Sequence, residues 1–390
     1  MTGANAEGGS GAVWGRGAVS SFDGHAGALT LDGEVASAML GGDFTRGRGT
    51  VGLVSAYSRG EGSYRSANGN GEVESTLTGL YPWARYAMSE RLSVWGVAGY
   101  GSGTLALKPE NDAEIETDMD LAMGALGGRG LLMQAPAGGG LELSVKSDAL
   151  LVRASSDEVD GDEASLAASQ AHVTRLRLGL EGTWQKGATP GGWRFEPGFE
   201  IGVRLDGGDA ETGFGAELGG RLAFANPANG LSLNLRGRGL VAHRTSGFRE
   251  WSSSASVGWD PGRTTGRGPS LSLTQSSGTA PSGGADALFA RKTLAGLASE
   301  RNGPGLGASS RLEGRIGYGM ALFDGGFTGT PNLGFGLSDG GTQDWRLGWR
   351  LTSAAAQDPG FEVNLDAMRK EYADDAAPEH CVLLKGTLRW

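Results

Sequence analysis

The chain reads as an all-β protein: an antiparallel up-and-down transmembrane β-barrel of about 18 strands. Three observations predict it. Apolar and polar side chains alternate with a period of two. The connections alternate between short turns and longer polar loops. The last residues form a strand whose apolar face is left open.

The alternation is clearest from Trp193 to Leu205, where every odd position is apolar and every even one is charged or Gly. Arg175 to Trp184 repeats it, as do Phe214 to Phe224 and Leu312 to Leu322. From Asp344 to Thr352 the indoles and leucines Trp345, Leu347, Trp349 and Leu351 oppose Arg346 and Arg350. A helix would scatter these charges around its circumference, whereas a strand puts them on one face. Candidate strands begin near 12, 30, 49, 73, 91, 116, 140, 172, 192, 213, 230, 252, 269, 311, 326, 343, 360 and 381. The alternation weakens before residue 60 and around 269 to 276, which leaves a barrel of 12 strands with further β elements as the alternative.

The short connections carry turn residues, as in Arg46-Gly47-Arg48, Asn226-Pro227-Ala228-Asn229-Gly230 and Asp324-Gly325-Gly326. The interleaved set is longer or more acidic: Gly60 to Gly71, Lys108 to Glu114, Ala154 to Gln170, Ser277 to Ser310 and Lys370 to His380. Short turns on one rim and long loops on the other are usual in membrane barrels. At the C-terminus Val382, Leu384, Gly386, Leu388 and Trp390 share one face. A closing membrane strand can leave that face to lipid, with an aromatic residue at the interface. Tryptophans at strand ends (Trp14, Trp95, Trp184, Trp193, Trp251, Trp345, Trp390) read as an interfacial girdle. In a soluble β-sandwich or β-helix, the competing fold, these faces would be buried against a second layer.

Composition narrows the function. Gly supplies 72 of 390 residues, against a usual share of about 7%, which disfavours helices and is tolerated in large sheets. No run of 18 apolar residues suggests a membrane helix. A net charge of -10 argues against nucleic acid as a partner. Residues 1–10 are expected to be a remnant of a linker or passenger, and 11–390 the barrel domain. Met1 to Asn5 lacks the features of an export signal, so a fragment or a downstream domain is expected. The single Cys381 forms no internal disulfide framework.

No catalytic, cofactor or metal constellation emerges, and the chain is not expected to be an enzyme. His25, His172, His243 and His380 lack metal-type spacing. Asp157 to Glu163 misses the calcium-loop pattern and reads as a solvated loop, and Asp206-Gly207-Gly208-Asp209 as a tight turn between strands. The charged strand faces carry more information. Charge at the lipid midplane costs about 2–4 kcal/mol, so each charged position marks its face as inward. Arg175, Arg177, Glu181, Arg194, Glu196, Glu200 and Arg204 are therefore expected in the lumen. Glu217, Arg221, Glu313, Arg315, Arg346 and Arg350 join them, with cross-strand pairs satisfying opposite charges.

The run RLDGGDAETGFGAELGGRLAFANPANGL from Arg204 resembles the β-domain of bacterial autotransporters, the type V secretion barrels, as does LRGRGLVAHRTSGFREW from Leu235 to Trp251. VWGRG from Val13, DGGTQDWRLGWRL from Asp339 and the terminal APEHCVLLKGTLRW add to the resemblance. It implies an outer-membrane barrel that anchors and helps export an N-terminal passenger, with outer-membrane lipid and the barrel-assembly machinery as partners. It also implies that Val382, Leu384, Leu388 and Trp390 form the assembly signal. The family's usual unit has 12 strands and a helix in the lumen, and this chain departs from it in length and in beginning close to its first strand. A free-standing pore and a surface adhesin with binding loops at 154 to 170 and 277 to 310 are the competing functions.

Overall fold

A computed structural model describes residues 9–26, 29–66, 69–110, 114–160, 165–166, 168–186, 192–209, 212–244, 250–262, 265–278, 309–338, 341–353, 360–371 and 378–389. Eighteen strands form one antiparallel sheet that closes on itself, and no helix occurs among the described residues. The 12-strand alternative is excluded.

The first strands are long: β1 (Ser10–Ala26), β2 (Leu29–Arg46), β3 (Gly49–Ser66), β4 (Gly69–Ala87) and β5 (Leu92–Pro109). β6 (Ile115–Met133) and β7 (Gly139–Ser156) continue that wall. A two-residue ladder, β8 (Val159–Asp160) with β9 (Ser165–Leu166), lies in the following loop, and β10 (Ser169–Lys186) is again long. Then the strands shorten: β11 (Arg194–Gly208), β12 (Gly213–Asn226), β13 (Leu231–His243), β14 (Trp251–Trp259) and β15 (Gly268–Gly278). β16 (Ser309–Leu322), β17 (Phe327–Ser338), β18 (Gln343–Ser353), β19 (Gly360–Glu371) and β20 (Glu379–Arg389) complete the wall. Each barrel strand pairs with its neighbour in sequence, β7 passing directly to β10.

The seam joins β1 to β20, from Ala12 opposite Arg389 to Ser20 opposite Cys381. Ser10 and Arg389 lie on the rim of the short turns. At one of those turns Phe323 and Asp324 both take positive φ (52° and 56°), the left-handed pair that closes a tight hairpin. Phe323 stacks edge-on with Phe327, and Phe327 with Phe361, so aromatic rings cluster at this rim.

One expected loop is absent. Gly60 to Gly71 is strand nearly throughout, since β3 runs to Ser66 and β4 begins at Gly69. The reason lies in how the long strands use their two faces. On β3 the outward residues Val51, Leu53 and Tyr57 are exposed and apolar, and beyond Tyr57 the same face carries Arg59 and Glu61, paired with each other. On β4 the outward set changes from Tyr86 and Leu80 to Thr78, Thr76 and Glu74, and on β5 the change falls at Tyr100. Above this boundary the inward face becomes the apolar one, with Leu77, Leu105, Leu107, Met119 and Leu121. The lower half is patterned for lipid outside. The upper half is patterned like a sheet in water, polar outside and apolar within.

Candidate functional site

The lumen wall is where this chain concentrates its chemistry. Leu176, Leu178, Ile201, Leu205, Phe214 and Leu218 are more than half exposed, while the alternating charged residues between them are largely buried. On a closed, curved sheet only the concave face brings charged side chains from four neighbouring strands together. The exposed leucines therefore form the outer, lipid-facing band.

Arg204 is the centre of the largest cluster. Its side chain is 1% exposed and reaches Asp206 and Glu250 at 2.8 Å and Glu217 at 3.3 Å. Glu217 also takes Arg177 at 2.8 Å and, closer still, Arg238. Arg177 donates to Glu200 at 2.8 Å, and Arg175 to Asp206 at 2.6 Å. Removing so many charges from water is offset by the opposite charge that each one meets within the cluster. Below it, Glu181 gathers Lys146 at 2.9 Å, Arg129 at 3.4 Å and Arg221 at 3.6 Å. A third cluster joins Arg311, Glu313, Asp344 and Arg346 across β16 and β18. Arg350 donates to Asn364 at 3.1 Å. Arg194, Glu196 and Arg315 share the inward face and form no ion pair with described residues.

The pairing geometry differs from simple cross-strand opposition. Arg177 lies directly opposite Arg204, and Glu181 directly opposite Glu200. The salt bridges run diagonally, from Arg177 to Glu200 and across β11 to Glu217. Gly202 makes the second reach possible: it sits opposite Glu217 and Gly179, and leaves room between β10 and β12.

Several cluster members are not marked by the strand period. Asp206 is not a turn residue but is buried near the end of β11, and the chain turns after Gly208. His243 comes inward because a β-bulge between β12 and β13 at Ala216/Glu217 shifts the register. Its side chain is fully covered, 3.6 Å from Asp206. The bulge leaves Val241 on the outside, 65% exposed. Glu250 precedes β14 and reaches in from the loop rim. Strict alternation does not reveal a bulge; its trace in the sequence is the switch on β13 from even inward positions, Arg236 and Arg238, to the odd inward position His243.

The tryptophans divide between the two faces. Trp184, Trp251 and Trp345 are exposed at the edges of the outer band. Trp14 and Trp95 are not girdle residues: their rings lie inside, over Gly41 and Gly127, as does Trp83 over Gly52. A side chain at any of these glycines would collide with the indole, so the glycines are the sockets of the inner aromatic lining. Of the residues expected to form an assembly signal, Val382, Leu384 and Leu388 are exposed on the outer face of β20. Trp390 lies outside the described residues, as do most of residues 1–10.

No family model and no curated protein matches the sequence. Solved structures match in fold. CdiB from Acinetobacter baumannii superposes with a TM-score of 0.51 at 10% identity, over 97% of this chain and 60% of that one. This chain thus spans about three fifths of the CdiB chain's length. The β-domain of the Bordetella autotransporter BrkA matches 63% of this chain and 97% of its own, with 16% identity and a TM-score of 0.36. The outer membrane protein OpdK from Pseudomonas aeruginosa matches 98% of this chain and 99% of its own, with 10% identity and a TM-score of 0.33. The chain has the fold of an outer-membrane β-barrel.

Proposed function

We propose that the protein is an autotransporter-type barrel of a bacterial outer membrane, which anchors an N-terminal passenger and supports its passage to the surface. Its action is physical and needs no catalytic residue. The outer apolar band holds the barrel in lipid, and the enclosed ion-pair clusters keep the lumen polar while matching most of its buried charges. The observation that carries this reading is the position of Ser10. It lies on the short-turn rim, so a polypeptide joined before β1 would meet the lumen from the periplasmic side. The sequence resemblance from Arg204 to Trp251 supports the same role. Val382, Leu384, Leu388 and Trp390 then present the signal that the assembly machinery reads from the last strand.

The test is a reporter domain joined upstream of Ser10 and expressed behind an export signal. Protease added to whole cells should remove the reporter when the barrel is folded, as judged by heat-modifiable gel mobility. A folded barrel with a reporter protected in the periplasm would overturn the role. The strand number favours a second reading, a free-standing pore, because about 16–18 strands leave an aqueous channel. Ion conductance of the barrel without any passenger, in planar bilayers, separates the two.

A further inference from the structure

Counting inward side chains along the hydrogen-bonded register, not along the chain, exposes a row without acids. Arg221 lies opposite Arg236, Arg236 opposite Ser254, and Ser254 opposite Ser276. Ser276 lies opposite Arg311, and Arg311 opposite Ser338. The row crosses β12 to β17 on the lumen face and carries three guanidinium groups and three hydroxyls.

Elsewhere on this wall, arginines that face each other are rescued by acids on the diagonal, as Arg177 and Arg204 are by Glu200, Asp206 and Glu217. Among the described residues Arg221 has a 3.6 Å contact to Glu181 and a bond to Thr183 Oγ1. Arg311 is held by Glu313 and Asp344. Arg236 is exposed to the lumen and pairs with no described acid. No acid lies within reach on its own strand, and the inward face of β14 offers Ser252, Ser254 and Ser256. Like charges directly opposed on one sheet face are destabilising, and among the described residues no acid offsets the charge of Arg236.

We infer that this row is a binding site for a small oxyanion, a phosphate or carboxylate group of a solute in the lumen. The guanidinium fork of Arg236 supplies two parallel N–H donors, which match the spacing of two oxygens on one phosphorus or carbon. Arg221 supplies a second positive charge across the strand, and the Ser254 hydroxyl a further donor beside it. The chain as a whole is acidic, at -10, so a cationic stretch inside the barrel runs against the overall field. An anion that enters the lumen would meet its attraction there. This site does not depend on whether a passenger uses the barrel.

Equilibrium dialysis of the folded, detergent-solubilised barrel against radiolabelled inorganic phosphate tests it, at constant ionic strength set with chloride. The expected result is saturable binding that falls about tenfold in Arg236→Gln, the loss of roughly one charge-assisted hydrogen bond. Ser254→Ala should weaken it less, and Arg59→Gln on the outer face should leave it unchanged. Heat-modifiable mobility confirms that each variant is a folded barrel. Absence of saturable binding by the wild type overturns the assignment. So does unchanged affinity in a folded Arg236→Gln or, should that variant not fold, in Ser254→Ala.

Discussion

The wall from β1 to β10 and the wall from β13 to β20 solve the same problem with different chemistry. The first has barrel strands of 17 to 19 residues and lines its interior with indoles over glycines and, higher up, with leucines and methionines, ions entering where β6, β7 and β10 approach the border through Arg129, Lys146 and Glu181. The second has strands of 9 to 14 residues, and its interior carries arginines, acids and serines. The border between them, β10 to β12, holds the deepest ion cluster. A barrel wall is thus not uniform along its circumference. Where strands rise beyond the lipid, the apolar face can turn inward. Where they stop at the lipid edge, the inner face is free to be charged.

The comparison can be broken most sharply at its charged border. Arg204→Ala should destabilise the barrel by about 3–5 kcal/mol, because Asp206, Glu217 and Glu250 lose a shared buried cation. Urea unfolding in liposomes measures it, and a loss below about 1 kcal/mol would mean that water already screens the cluster. Next in size is a charge on the outer face. Ile201→Arg, midway along β11, should cost about 2–4 kcal/mol, whereas Thr78→Arg, above the aromatic boundary of β4, should cost under about 1 kcal/mol. Equal costs would erase the boundary drawn through Tyr57 and Tyr100.

On the tall wall Gly127→Val should cost about 1–3 kcal/mol, since its side chain meets the Trp95 ring and the Ser147 carbonyl. Indole fluorescence should shift in the same variant, and an unchanged spectrum would place Trp95 elsewhere. The smallest effect belongs to the exposed Arg59–Glu61 pair. Glu61→Gln should change stability by no more than about 0.5 kcal/mol, and less at high salt. A larger effect would show that the upper rim is held by its charges and not by its inner apolar face.

These contrasts also separate what the sequence disclosed from what it hid. The starts of all 18 barrel strands were legible to within about four residues, because period two and turn residues are local signals. The Gly60 to Gly71 segment looks like a loop because the alternation changes sign on the strands it joins: on β4 Leu77 and Tyr81 are inward, while Leu80 is outward. A reader who equates apolar with outward loses the strand at that point. The charges that face one another followed from neither period nor composition. Arg177 and Arg204 were visible as inward residues, but their direct opposition depends on register, which the hairpin geometry sets. Asp206 and His243 depended on a strand end and a bulge, features that a strict two-residue period does not mark.

The unequal strand lengths set a direction of approach. Seven or so extra residues at about 3.3 Å each, on strands tilted by about 40°, lift one side of the mouth by roughly 20 Å over the other. The opening therefore tilts like a cowl. Among the described residues the strands of β13 to β20 make a low wall, and those of β2 to β7 a parapet with a wettable exterior and a greasy lining. A molecule large enough to feel that parapet would be met on that bearing by strand, not by loop.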